Sequence, residues 1–251
     1  MCKLAGQDNC DIIIPASRRL SMLAELIPPA ETLADIGADH AWLLIGLAAA
    51  GKIKNGIGVE VTAGPYRQAA ANVAAAGLTG RIALRQGDGL APLKPGEATG
   101  AALAGMGGNT IVGILARGQD IMASMAFLAL QPMGQAAALR RYLRQAGWRI
   151  CREAITAERG VRYQAILAQP GEMAPLSDPE AEFGPLLLRE KSPLLLREID
   201  ERIAGHRRAL AGLERSSSEA SRQKAARIRA RIKEWEALLL CLIPAGKSFD
   251  T

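Results

Sequence analysis

A doubly wound, mostly parallel α/β sheet followed by a charged helical hairpin is the architecture the sequence predicts. Three observations point to it. Short apolar runs alternate with helical stretches as far as residue 168. Gly-rich turns close several of those runs, at Gly37, Gly87–Gly89 and Gly105–Gly108. Beyond residue 175 the apolar residues fall into heptad spacing and the charge density rises. Strands alternating with helices at short intervals build a parallel sheet covered on both faces. With 251 residues the chain has room for one substantial domain and a smaller one. Apolar residues make up 49% but aromatics only 4%, so the core must be built from Ala, Leu and Ile.

The elements follow in order. Residues 1–17 read as a loose leader. A helix from Ser17 or Arg18 to about Leu26 puts Leu20, Leu23, Leu26 and Ile27 on one face, and Pro28-Pro29 ends it. Thr32–Ile36 is a short buried strand running into Gly37, and Ala41–Ala50 is helical up to Gly51. Asn55–Val61 is a second strand, followed by a helix from Pro65 to Ala76 with Gly77 behind it. Ile82–Arg85 and Ala101–Ala104 are the third and fourth strands, and a helix spans about Thr110–Arg117. Met125–Gln131 is a fifth strand stopped by Pro132, and Ala136–Ala146 is a helix ended by Gly147. Trp148–Glu153 and Tyr163–Ala168 fit an antiparallel pair at the sheet edge.

Residues 169–175 form a Pro- and Gly-containing linker, dividing a domain over 1–170 from one over 176–251. In the second domain Leu196, Ile199, Ile203, His206, Leu210 and Leu213 form one heptad seam, and Ile228, Ile232, Trp235, Leu239 and Leu242 another. The polar turn Arg215–Glu219 joins them into an antiparallel hairpin. From Arg202 to Lys233 ten basic residues face two acids, Glu214 and Glu219, a larger excess than the net +6 of the whole chain. Such a run is either a solvated helix face or a phosphate-binding arm, since each neutralised phosphate releases counterions.

Composition narrows the class. A net charge of +6 and pI near 9.4 fit a polyanionic partner without requiring one. Cys2, Cys10, Cys151 and Cys241 form no CxxC pair and are expected as reduced thiols. No apolar run approaches the ~20 residues that span a bilayer, and the N-terminus lacks a signal peptide's layout. A cytoplasmic, metal-free monomer with no membrane partner is expected.

Chemistry concentrates at the strand ends. Asp35-Ile-Gly-Ala-Asp39-His40 occupies the first strand-to-helix turn. A dinucleotide enzyme would carry GxGxxG there to seat a pyrophosphate, and its absence disfavours a nicotinamide dehydrogenase. Carboxylates in that turn repel a pyrophosphate but accept bonds from an ammonium group, and S-adenosylmethionine carries both an ammonium and a sulfonium. Glu60 ends the second strand, where an acid can take a ribose diol. Asp88, in Gly87-Asp88-Gly89, can accept from an adenine amino group. In this order the three acids trace a nucleoside from its methionine tail to its base. Ala104-Gly105-Met106-Gly107-Gly108 lacks the Asn/Asp-Pro-Pro-Tyr turn of many base methyltransferases. Its Gly-rich wall would let a flat base approach the methyl group.

These segments resemble the bacterial tRNA (adenine-22-N1)-methyltransferases. The likeness rests on Arg19-Leu20, Leu33–Leu43, Gly58–Pro65, Asn72–Leu78, Gly87–Leu90, Ala104–Gly108, Leu130–Pro132, Leu139-Arg140 with Gly147-Trp148, Phe183–Pro185 and the terminal hairpin, nearly the full length. The family usually has Tyr and Pro where this chain has Trp42 and Leu44. The resemblance implies a Rossmann-like methyltransferase domain with a C-terminal α-helical coiled-coil hairpin that helps grip tRNA, and S-adenosyl-L-methionine as cofactor. By it, the cofactor-binding set is Asp35, Gly37, Asp39, His40, Glu60, Val61, Gly87, Asp88, Gly89, Ala104, Gly105, Met106 and Gly107. The catalytic set is Asp39, His40, Gly105 and Met106, and the RNA-binding set is Arg207, Arg208, Arg222, Lys224, Arg227, Arg229 and Arg231.

N1 of adenine has an in-plane lone pair and can attack the sulfonium methyl directly, so alignment and desolvation should carry catalysis. The base must be unpaired or flipped to expose N1. His40 could handle a proton or simply bond the turn backbone. Trp42 or Tyr163 could stack on the base or belong to the core. Two other readings stay open: a methyltransferase for another RNA site, a small molecule or a protein, and a non-catalytic RNA-binding protein.

Overall fold

The computed structural model describes residues 17–215 and 218–243, and these divide between two compact units, Met1–Met173 and Ala174–Thr251. Residues 1–16 of the leader expected over 1–17, with Cys2 and Cys10, and the centre of the polar turn at Ser216-Ser217 lie outside the described residues.

The first unit begins with α1 (Arg18–Leu26), capped by Ser17, whose side chain accepts from Leu20 N–H. β1 (Ala30–Ile36), α2 (Trp42–Ala49), β2 (Ile53–Glu60), α3 (Ala63–Ala75) and β3 (Ile82–Gln86) follow, then β4 (Gly100–Met106), α4 (Gly108–Arg117) and a short α5 (Gln119–Met122). β5 (Phe127–Pro132), α6 (Ala136–Gln145), β6 (Trp148–Glu158) and β7 (Val161–Pro170) complete it. The seven strands are ordered β3-β2-β1-β4-β5-β7-β6, with the first five parallel and β7 and β6 antiparallel. β1 therefore lies between β2 and β4, flanked on both sides by strands running the same way.

Alternation along the strands sorts the core. Leu33 of β1 joins one cluster with Leu23, Leu26, Leu44, Leu47 and Val73, so α1, α2 and α3 cover that face. Ala34 and Ile36 join the other, with Ile111, Leu115, Leu139 and Leu143 of α4 and α6.

Some elements differ from the sequence reading. β6 and β7 run on to Glu158 and back from Val161, well beyond the expected Glu153 and Tyr163. Arg159 and Gly160 close them with φ of 51° and 79°, the paired left-handed geometry of a two-residue hairpin turn. Arg-Gly lacks the Asn or Asp that usually marks that turn, so the strands read short. The register slips between Ile150 and Arg152, a bulge at Cys151. The expected linker starts late as well, because Gln169 and Pro170 still belong to β7.

One polar cluster ties the edge hairpin to α6. Arg140, fully buried, donates from Nε to Glu153 Oε1 at 2.7 Å and from Nη2 to Gln164 Oε1 at 2.8 Å. A buried ion pair is tolerated only while both partners remain.

The second unit holds α7 (Asp178–Phe183), α8 (Pro185–Glu190), α9 (Pro193–Leu213) and α10 (Glu219–Leu242). α7 opens on a capping box in which Ser177 and Glu180 satisfy each other's backbone N–H groups. α9 and α10 pack together, burying Ile199 and Ile203 of the first seam and Ile232, Trp235 and Leu242 of the second. Trp235 meets Phe183 and His206 edge-on, at centroid distances of 4.8 and 4.9 Å.

Truncating Arg140 to Met should strand the Glu153 carboxylate in the interior and cost about 3–5 kcal/mol in urea unfolding. Adding Glu153→Gln in the same chain should recover part of the loss. No change on the first substitution would show the cluster to be energetically idle.

Candidate active site

The carboxyl ends of β1, β2 and β4 meet at a cleft of about 380 Å³, within the range of small-molecule sites. Asp35 is the penultimate residue of β1, level with Gly58 on β2 and Ala102 on β4. Beyond β1 the chain stays on the sheet a little longer, because Gly37 and Ala38 both donate their N–H groups to Val59 C=O, at 2.9 and 3.3 Å. It then turns sharply. Gly37 has φ of 74°, and a Cβ there would lie 3.2 Å from the Met106 methyl. Asp39 and Ala41 also take left-handed φ, 48° and 59°, costly for residues with a Cβ. The turn is held by Asp39 N–H, which donates to Glu60 Oε1, and by Asn72 Nδ2, which donates to His40 C=O at 2.9 Å. Glu60 at the tip of β2 thus serves the loop after β1 as well as the cleft it lines.

Electrostatics set Asp35 apart. Only 4% of it is exposed. Its carboxyl is pushed up from 3.8 to about 7, first by burial and then by the neighbouring Glu60, with Asp39 adding to the rise and Arg19 opposing it. The site holds more negative charge than it can solvate, which favours a cationic ligand.

Of the residues expected from the sequence, Asp35, Gly37, Asp39, His40, Glu60, Ala104, Gly105 and Met106 line the cleft; Val61, Gly87, Asp88, Gly89 and Gly107 do not. Asp88 is largely exposed and paired with Arg117 Nη2 at 3.0 Å, so a ligand amino group would compete with that guanidinium. Val61 is also exposed, and its carbonyl accepts from Gln86 Nε2 at 3.2 Å. Gly89 is held at φ of 57°, with a Cβ placed 2.9 Å from Ile114. Gly107 caps α4, and a Cβ there would lie 3.1 Å from Gln135 Oε1. The His40 ring faces Asp39 Oδ1 at 3.7 Å, about half exposed. Trp42 lines the cleft, whereas Tyr163 packs against the core.

The sequence reading missed Arg19, whose guanidinium reaches the cleft wall from α1. Gln131, which anchors it, was missed too. Both stand in segments that carried the family likeness, but neither is an acid at a strand tip.

The expected RNA-binding residues all belong to the second unit. Arg207, Arg222 and Arg229 pair with Glu236, Glu219 and Glu214, and Arg231 lies over the Trp235 ring at 5.6 Å. Arg208, Lys224 and Arg227 are exposed and have no ion-pair partner among the described residues. Also among the described residues, no helix is long and apolar enough to cross a membrane and no side-chain cluster could hold a metal.

The raised Asp35 pKa fixes the sign of a stability effect. Between pH 4 and 7 the folded chain keeps a proton that the unfolded chain releases, so stability falls as pH rises through that window. The decline should amount to at most about 4 kcal/mol, from ~1.4 kcal/mol per pH unit. Asp35→Asn should flatten it and raise the melting temperature at pH 8. A mutant no more stable than the parent at pH 8 would contradict the burial argument.

Comparison with known proteins agrees with this geometry. The model of the tRNA (adenine(22)-N(1))-methyltransferase family matches residues 33–237. The Bacillus subtilis tRNA (adenine(22)-N(1))-methyltransferase is 36% identical over 187 residues, 72% of this chain and 79% of the relative. The crystal structure of the Bacillus subtilis m1A22 tRNA methyltransferase superposes with a TM-score of 0.84 at 30% identity, covering 90% of this chain and all of that one. A Streptococcus pneumoniae tRNA (m1A22) methyltransferase candidate, solved in complex with S-adenosyl-L-methionine, superposes with a TM-score of 0.81 at 32% identity, covering 89% of this chain and 99% of that one. The chain, with its acid-lined cleft at the tips of a Rossmann-like sheet, belongs to the tRNA (adenine(22)-N(1))-methyltransferase family.

Proposed function

We propose that the protein methylates N1 of adenine 22 in tRNA, with S-adenosyl-L-methionine bound in the cleft at the ends of β1, β2 and β4. The observation that carries this reading is the buried Asp35 carboxylate among further acids, in a chain of this family. The donor set fits the cofactor. Asp35 and Asp39 offer acceptors to its ammonium group, and Glu60 to the ribose diol. Asp88 would take the adenine amino group by exchanging its Arg117 partner.

Bound S-adenosyl-L-methionine supplies an electrophilic methyl group. The chain's residues orient it and exclude water, while the Gly105–Gly107 wall admits the target base. N1 needs no strong general base, because it is unprotonated near neutrality. At the mouth, the Asp39 carboxylate would balance the positive charge of the methylated base, or His40 would accept the proton that the base's amino group sheds. The exposed cations of α9 and α10, with Arg208, Lys224 and Arg227 free of acidic partners among the described residues, serve as the arm that holds tRNA phosphates.

Three outcomes test this reading. Incubation with S-adenosyl-L-methionine and bulk tRNA should yield 1-methyladenosine, mapped to position 22 by mass spectrometry. A donor-binding protein that leaves tRNA unmodified, or marks another position, would reject it. Donor affinity by calorimetry should weaken about tenfold per pH unit below 7, as Asp35 must release its proton to receive the ammonium. A flat profile would remove Asp35 from the contact. The double substitution Lys224→Glu and Arg227→Glu should weaken tRNA binding and lower its salt slope by about two. Unaltered binding would leave that charge a solvated face.

A further inference from the structure

The first unit carries a second concentration of charge, away from the cleft. From Met133 to Pro170 the chain has seven arginines and two glutamates. Both acids are engaged within the unit. Glu153 is buried against Arg140, and Glu158 accepts the backbone N–H of Arg19 at 3.3 Å. Arg149, Arg152 and Arg159 of the edge hairpin remain exposed.

A bulge gathers two of these cations. In a regular strand residues three apart point to opposite faces. β6 gains one residue at Cys151, so Arg149 pairs with Gln169 and Arg152 with Leu167, two residues apart on β7. Arg149 and Arg152 therefore share one face of the sheet, the face on which Leu167 packs with Leu23 and Leu26 of α1. Gly171 makes room for the first of them, since a Cβ there would lie 2.9 Å from Arg149 Cδ. A third cation comes from the same side. Lys52, between α2 and β2, donates from Nζ to Ala24 C=O at 2.7 Å and to Glu25 C=O at 3.3 Å, at the end of α1. Burial lowers its ammonium from the usual range, and the charge of Arg152 lowers it further, with Glu25 opposing. Arg149 and Arg152 have no ion-pair partner among the described residues.

Charges on an edge strand also discourage pairing with another sheet. That purpose needs no alignment, because a cation on either face serves it. Here a bulge brings two guanidiniums to one face beside an anchored ammonium, against their mutual repulsion, and a bound anion would relieve it. Arginine forks match phosphate oxygens. We propose that Arg149, Arg152 and Lys52 form a phosphate-binding surface of the methyltransferase unit, which grips the tRNA backbone apart from the target nucleotide. The surface lies toward the amino ends of the parallel strands: Ile150 pairs with Ala168, which is level with Leu128 near the start of β5. The cleft is at the opposite ends of those strands, so the contact positions the RNA without touching donor or target base. The inference rests on tRNA being the substrate, as in the proposed function.

The test separates this grip from the cleft and from edge protection. Binding of bulk tRNA to the full chain is measured over a salt series, and binding of S-adenosyl-L-methionine by calorimetry. Arg149→Gln with Arg152→Gln should weaken tRNA binding about tenfold or more at ~0.1 M salt and lower the salt slope by about one to two, the share of two phosphates. Donor affinity should stay as in the parent. Arg149→Lys with Arg152→Lys keeps the charge and should keep most of the slope. Unaltered tRNA affinity and slope in the Gln variant would overturn the proposal. Self-association of that variant with tRNA binding intact would assign the arginines to edge protection instead. If the double variant does not fold, Arg152→Gln alone reads the slope: a fall of about one supports the contact and an unchanged slope opposes it. A parent protein that binds the donor but no tRNA would refute the proposed function itself, and this surface with it.

Discussion

A carboxylate enclosed at the end of the central strand is the constraint around which the rest of the site is arranged. Asp35 sits where β1 is flanked by β2 and β4, so water reaches it poorly and its charge is costly. Among the described residues no cation pairs with it: Arg19 lies close enough to lower its pKa but forms no ion pair with it. The site is thus half of an ion pair, stable enough to persist and completed by a cation from outside. Stability is given up locally to prepare binding, as often happens where function needs a group in the wrong environment.

The surrounding turn follows from the same need. Three residues, Gly37, Asp39 and Ala41, take left-handed backbone to bring the chain from β1 to α2 without covering the cleft. Two of them carry a Cβ, and the cost is met by bonds from outside the turn. Glu60 receives the Asp39 N–H and Asn72 holds the His40 carbonyl. On the other wall Gln131 fixes Gly105 and Arg19 together. Acids and cation are therefore held by separate elements, the acids by β1, β2 and the turn between β1 and α2, the cation by α1 with its anchor on β5. The second unit obeys simpler physics. Its heptad seams bury Ile199, Ile203, Ile232 and Trp235, while flank arginines pair with the few acids available and the remaining cations face solvent.

Much of this was legible in the chain, for physical reasons that also explain the gaps. Period-two and heptad patterns report which face is buried, so the parallel strands and the long helices α9 and α10 could be read directly. Asp35, Glu60 and Gly105 were readable because a parallel sheet binds ligands at its strand ends. Long-range pairings leave no such trace. Arg117 takes Asp88 out of the cleft lining from the far end of α4, and no local pattern announces it. Arg19 acts from a helix that precedes the sheet, and Gln131 reads as an ordinary polar residue closing a strand. The Arg159-Gly160 turn lacked the usual side-chain signature, so the edge hairpin came out short. The capping box of Ser177 and Glu180 is a local signal that opens α7 inside the charged second unit, close behind the linker.

The most direct trial of this account is a crystal structure of the protein with S-adenosyl-L-methionine bound. The account predicts the ammonium within hydrogen-bond distance of Asp35, the ribose hydroxyls at Glu60 and the methyl group directed toward the Gly105–Gly107 wall. A donor lying away from the tips of β1, β2 and β4, or one whose ammonium makes no contact with Asp35, would contradict it.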